Sequence, residues 1–310
     1  MSQRLLVFIV FLSSMMVSYA KDEIDYKVIE QDNHIIHLAK FDPTQVRIQL
    51  IQAKEESQNK APLSQLASQE GAWLAINAGF FSLDDQDQAS PVGVLKINNT
   101  WIQGSSLPRA ALGWNENESI IDNLKVHLFP NEIRISPLRT SLQSWQNMTN
   151  VVGGVPLLVY DGKIVKNFKN ERIRGRDFVD QPNARTAIGI TATGYWIIVV
   201  VEQRYTLKNN ETDNSLLKKE IPQNNAKAKK MMRDNLEIAV KGFTLHELSD
   251  FMHKQGCKWA INLDGGVSSG LYYQDEMKTH LLQDFPSNAP LFFRDINTAI
   301  IIKARETSLK

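Results

Sequence analysis

The chain has 310 residues and a formal net charge of +1, so no molecule-wide field draws it to nucleic acid or to an anionic membrane. Apolar residues make up 43% and charged residues 22%, which supports a packed core and excludes global disorder. Cys257 is its one cysteine; an internal disulfide framework is excluded and the core must hold itself together.

Arg4, the apolar run Leu5 to Met16 and the small residues of Ser18-Tyr19-Ala20 have the layout of a secretory signal peptide. This predicts residues 1–20 as a leader, a mature chain from near Lys21, and a secreted or periplasmic location. An uncleaved N-terminal anchor is the alternative. The run falls short of the roughly 20 residues of a membrane helix. Nothing later in the sequence is long and apolar enough either, so no membrane span is expected after signal removal.

The mature chain opens with strand patterns at Tyr26 to Glu30, His34 to Ala39 and Val46 to Gln52, then a short helix from Leu63 to Glu70. An apolar strand, Trp73 to Ile76, runs into Asn77-Ala78-Gly79, and an acidic loop with Asp84, Asp85 and Asp87 follows. Val92 to Ile102 reads as a hairpin turning at Asn98-Asn99, with further strands expected at Ala110 to Trp114, Lys125 to Phe129 and Glu132 to Ile135. Asp161-Gly162 and Thr193-Gly194 are hairpin turns. The strand after the second turn, Tyr195 to Val201, is apolar on both faces and should be central. Residues 207–241 are polar and read as a surface insertion, helical from 226 to 240. Thr244 and Glu247 form a capping box for a helix with Leu245, Leu248, Phe251 and Met252 on one face, stopped at Gly256. Strands at Trp259 to Leu263 and Asn297 to Lys303 close the chain. Many strands with few helices predict a single α+β domain of mixed, mostly antiparallel sheets.

The most informative stretch is INLDGGVSSG, Ile261 to Gly270. A buried strand ends in Asp264, the paired Gly265 and Gly266 let the backbone turn its amides toward a ligand, and Ser268 and Ser269 add hydroxyls. That combination suits an oxyanion beside a reacting carbon. A tight turn whose Asp caps its own backbone is the plainer reading.

Other segments fall into order with it: INAGFF from Ile76 to Phe81, Pro91-Val92-Gly93, Arg109 with Gly113, GGVPLLVYDGKI from Gly153 to Ile164, NARTAIGI from Asn183 to Ile190, and FTLHEL from Phe243 to Leu248. Together these resemble the phosphodiester glycosidase family. Three features depart from the family pattern: Val267 stands where a third Gly is usual, Glu202-Gln203-Arg204 stands where Asp-Gly-Arg is usual, and the insertion at 207–241 is longer than the usual connection. The resemblance implies hydrolysis of a sugar 1-phosphodiester at the anomeric carbon. The phosphate monoester that leaves is a weak base, so stabilising its charge matters more than protonating it.

On that reading Arg185, and with it Arg109, grips the phosphate, assisted by Gly265, Gly266, Ser268 and Ser269. Asp264 and Glu202 supply carboxylates at the sugar carbon, Asn77 and Gly79 orient substrate, and Phe81 or Phe80 walls the sugar. The expected partner is a sugar-phosphate or glycan, with no nucleic acid, no cofactor and no metal; the oligomeric state is open. Each role has a plainer competitor, such as an Arg185–Glu202 pair across a hairpin. Two other functions also stay open: a non-catalytic carbohydrate-binding envelope protein, and a serine hydrolase using Ser268 within Gly266-Val267-Ser268-Ser269-Gly270.

Overall fold

The computed structural model describes residues 23–54, 57–173, 176–207, 236–280 and 295–305. The expected leader and most of the expected insertion lie outside these. Three antiparallel sheets carry the fold, which is α+β with mostly antiparallel strands as the pattern predicts. The largest has seven strands in the order Ile24–Gln31, His34–Phe41, Trp196–Val201, Arg185–Thr191, Cys257–Asn262, Leu157–Tyr160 and Lys163–Ile164. Trp196–Val201, fully buried, is an interior strand of it. A six-stranded sheet is centred on Ser105–Trp114 and Asn150–Gly153, and a five-stranded sheet on Leu74–Asn77 and Thr298–Ala304.

The inner faces of all three sheets share one apolar core. Ile188, Ile198 and Ile261 come from the first, Leu112 and Val152 from the second, and Ile76 and Ile300 from the third. Each sheet's outer face carries its own helix. Leu245–Lys254 packs on the seven-stranded sheet through Leu245, Leu248 and Met252, against Ala187 and Ala260. Leu63–Glu70 covers the five-stranded sheet and Leu142–Asn147 the six-stranded one. Gly113 is required beneath that last helix, because a Cβ there would sit 2.9 Å from the Trp145 ring and 2.7 Å from Met148.

Local chemistry explains several element boundaries. The capping box forms in full: Thr244 Oγ1 accepts the Glu247 amide at 3.1 Å, and the Glu247 carboxylate accepts the Thr244 amide at 2.7 Å. Gly256 takes φ 83°, the left-handed turn that stops the helix. One expectation fails. Residues 236–240, assigned to a helix, form the strand Leu236–Val240, paired antiparallel with Arg204–Leu207. Leu236, Ile238 and Val240 alternate with polar or small residues, and that period of two outweighs helix propensity. Cys257 is buried in the core, where desolvation pushes its thiol up to about 12.

Candidate functional site at one end of the large sheet

Three neighbouring strands of the large sheet bring the sequence-predicted residues to one end. Arg185 opens its strand opposite Val201, and Glu202 follows directly. On the other side Leu263 donates its amide to Thr186 O at 2.8 Å, and Gly266 does the same to Ala184 O at 2.8 Å. The Asp264-Gly265-Gly266 loop is thus folded against the start of the Arg185 strand. Gly265 fits closely there, since a Cβ would lie 3.0 Å from Ala184 O, tighter than most such contacts. Gly266 takes φ 63°. Val267 does not need that conformation and is 45% exposed, so replacing the third glycine leaves the loop unstrained.

Asn77 staples this loop rather than facing outward. Its amide nitrogen donates to Asp264 O at 2.7 Å; its oxygen accepts from Thr186 Oγ1 at 2.7 Å and from the Gly270 amide at 3.1 Å. It is 1% exposed. The loop's own amides are also engaged: Gly265 N donates to Asp264 Oδ1 at 3.0 Å and Gly266 N to Ala184 O. The expectation that these two amides point at a ligand is therefore corrected. The Ser268 and Ser269 hydroxyls of this loop are buried and, among the described residues, without a hydrogen-bond partner.

Arg185 is 2% exposed, on the helix-covered face. Its Nε donates to Phe243 O at 2.9 Å, and Nη2 to Phe178 O and Gln181 O, both at 3.0 Å. The guanidinium lies over the Phe178 ring at 5.4 Å. Among the described residues no carboxylate pairs with it and Nη1 makes no hydrogen bond. Burial pulls its pKa down to about 10.

Glu202 has a different environment, and the Arg185–Glu202 pair does not form. Its partners lie on the inner face: His37 Nε2 at 2.5 Å, Arg204 Nε and Nη2 at 2.6 and 2.9 Å, and the His280 amide at 2.9 Å. Tyr26 extends the chain through a 2.8 Å hydrogen bond to His37 Nδ1. Burial alone would raise the Glu202 carboxyl, but the His37 and Arg204 hydrogen bonds and charges outweigh it and hold it below its usual range. Gln203 needs no positive φ, so the missing Gly of this segment costs nothing.

The aromatic pair also sorts itself. Phe81 is 9% exposed, in a strand paired with Ala89–Pro91, so it is not the wall. Phe80 lines a narrow cleft with Gly93, Arg109, Gly153 and Gly154, and its ring is 6.2 Å from that of Phe178. Gly79 donates its amide to Thr298 Oγ1 at 3.0 Å, just behind this cleft. Among the described residues Arg109 Nε is buried without a hydrogen-bond partner, with the Glu171 carboxylate near enough to feel its charge. Phe178 and the Gly153-Gly154 wall were missed as site residues; Phe178 carries no motif signal, while the paired glycines stood inside a quoted segment.

Fold and geometry define an α+β protein of antiparallel sheets in which a buried cation, without a carboxylate partner among the described residues, stands beside a glycine-bearing loop at one sheet end. The family model for phosphodiester glycosidases matches residues 70–219 and 231–303, and the chain belongs to that family. Solved structures agree on the fold. A hypothetical protein from Synechocystis superposes with a TM-score of 0.64 at 16% identity, over 91% of this chain and 62% of that one; this chain therefore spans about three-fifths of its length. The catalytic domain of zebrafish N-acetylglucosamine-1-phosphodiester alpha-N-acetylglucosaminidase, auto-inhibited by its pro-peptide, gives 0.58 at 17% identity, over 91% of this chain and 82% of that one. No curated protein matches in sequence.

Proposed function

We propose that the protein hydrolyses sugar 1-phosphodiesters at the anomeric carbon. Water adds to that carbon, the bond from carbon to the bridging phosphate oxygen breaks, and a phosphate monoester leaves with the electron pair; one water proton stays on the new sugar hydroxyl and the other passes to the departing phosphate. The observation that carries this reading is Arg185: a cation 2% exposed, held by backbone carbonyls and without a carboxylate partner among the described residues. A buried charge left uncompensated is costly, and a phosphate arriving at Nη1 would compensate it in a site already oriented. Asp264, on the loop folded against the same strand end, is the carboxylate assigned to the sugar carbon. The Ser268 and Ser269 hydroxyls are the further donors. Asn77 and Glu202 hold the scaffold: one fixes the loop, the other the adjoining strand end.

The serine hydrolase reading loses its support. After Ser268 the chain enters the strand Leu271–Tyr273, not the helix that a Gly-x-Ser-x-Gly nucleophile needs, and among the described residues Ser268 Oγ has no histidine partner. The test of the proposal is release of free sugar and phosphate monoester from a panel of sugar 1-phosphodiesters. Wild-type protein should turn over, and Asp264→Asn should lose about a thousandfold or more in kcat with an unchanged circular dichroism spectrum. A folded, active Asp264→Asn protein, or a wild type inert to the whole panel, would overturn it.

A further inference from the structure

Beyond the cleft walled by Phe80 the surface opens into a second hollow of about 510 Å³, bounded by Leu107, Arg109, Arg172 and Ile173. Arg109 lines both spaces, so the hollow adjoins the cleft. Its construction is specific. Arg172 closes the short 3-10 turn Lys169–Glu171 with φ 51°, an uncommon conformation for a long side chain. That turn is pinned from below by Glu171, which is 3% exposed and accepts the Ala110 amide at 2.8 Å and the Leu157 amide at 2.7 Å. Each carboxylate oxygen thus accepts a backbone amide, and burial raises the Glu171 pKa against those hydrogen bonds, one from Asn123 and the nearby charge of Arg109. Among the described residues the hollow thus offers one exposed guanidinium, a second whose buried Nε has no hydrogen-bond partner, and two apolar side chains in the same lining.

We infer that this hollow is the aglycone subsite, and that it takes a leaving group bearing a second oxyanion on a short apolar stem. The inference rests on the proposed hydrolysis for its position along the substrate. The stem lies on Leu107 and Ile173, and the two arginines meet the distal anion. A volume near 500 Å³ is of the size that encloses a small organic group, and guanidinium forks suit carboxylate and phosphate alike.

The experiment compares three sugar 1-phosphodiesters whose aglycones are benzyl, 4-carboxybenzyl and 4-phosphonobenzyl. In the wild type kcat/KM should be about tenfold higher for the two anionic aglycones, corresponding to about 1.4 kcal/mol. In Arg172→Gln that ratio should fall toward one, and Arg172→Lys should recover part of it. Preference for one anion over the other identifies which oxyanion the site is built for. Equal rates on all three substrates, or a ratio retained in Arg172→Gln, would overturn the subsite while leaving the hydrolysis intact. Should the wild type turn over none of them, calorimetry with 4-carboxybenzyl phosphate and benzyl phosphate decides the site on its own. Tighter binding of the carboxylate, lost in Arg172→Gln, supports it; equal binding of the two ligands refutes it.

Discussion

Arg185 and Glu202 stand at adjoining strand ends of one sheet, both are 2% exposed, and they are built in opposite ways. Glu202 is saturated: His37, Arg204 and the His280 amide take up both carboxylate oxygens. Arg185 is held by carbonyls and by the Phe178 ring, and among the described residues no carboxylate answers its charge. Their partners lie on different faces of the sheet, so neither serves the other. The difference teaches where function resides. A buried charge with every valence filled is a structural joint, whereas one oriented but not neutralised is prepared for a ligand.

The comparison breaks most visibly at Arg185. Arg185→Gln should cost about a hundredfold to a thousandfold in kcat, the range for losing one preorganised donor to a developing oxyanion, measured at a temperature where the variant remains folded. Arg185→Lys keeps the charge but not the fork, and should recover only a small part. A loss confined to thermal stability, with kcat intact, would place Arg185 among the joints.

Glu202→Gln tests the opposite pole. Removing one member of a buried, hydrogen-bonded ion cluster should cost about 3 kcal/mol of stability at neutral pH, read from the urea midpoint, with a far smaller effect on kcat than at Arg185. The pH dependence has a definite sign. The folded carboxyl titrates below its ordinary 4.5, so on acidification the unfolded chain binds the proton first. The stabilisation is complete above pH 4.5 and fades as pH falls through the lower folded value. The gap between wild type and Glu202→Gln should therefore be flat from pH 7 to about 5 and shrink below that. A gap that grows toward acid would contradict the cluster as drawn.

How much of this was legible in the sequence follows the range of the interactions. The capping box at Thr244, the Gly256 stop and the turn at Asn98-Asn99, both at positive φ, are decided by neighbours and were readable directly. The gathering of Asn77, Arg185 and Asp264 at one sheet end came from motif order, and the strand register explains it. Whether Glu202 would face Arg185 or turn inward was not legible, because its partner His37 lies 165 positions away and strand alternation only decides the face once the pairing is known. Which of Phe80 and Phe81 meets the cleft depended in the same way on the pairing of Phe81–Leu83 with Ala89–Pro91. The helical reading of 236–240 failed because it weighed helix propensity above the period-two pattern of Leu236, Ile238 and Val240, which pairing with Arg204–Leu207 turns into a strand.

The smallest expected effect sharpens the comparison most finely. Thr244 caps the helix that covers the Arg185 face, and the residue before it, Phe243, is where the two meet. Phe243 O accepts Arg185 Nε at 2.9 Å, and the Phe243 amide donates to Asn183 O at 2.9 Å. Losing the cap in Thr244→Ala should cost about 1 kcal/mol, a shift of about 3 °C in Tm for a chain of this size. Because Phe243 shares the backbone of the cap, loosening it should also blunt the aim of Arg185, giving a reduction in kcat well under the hundredfold that a misplacement of about 1 Å brings. Glu202 is anchored from the other face, so the pH profile of stability that it produces should survive the substitution unchanged. Coupled loss of that profile would mean that the two buried charges are one system, against everything their hydrogen bonds describe.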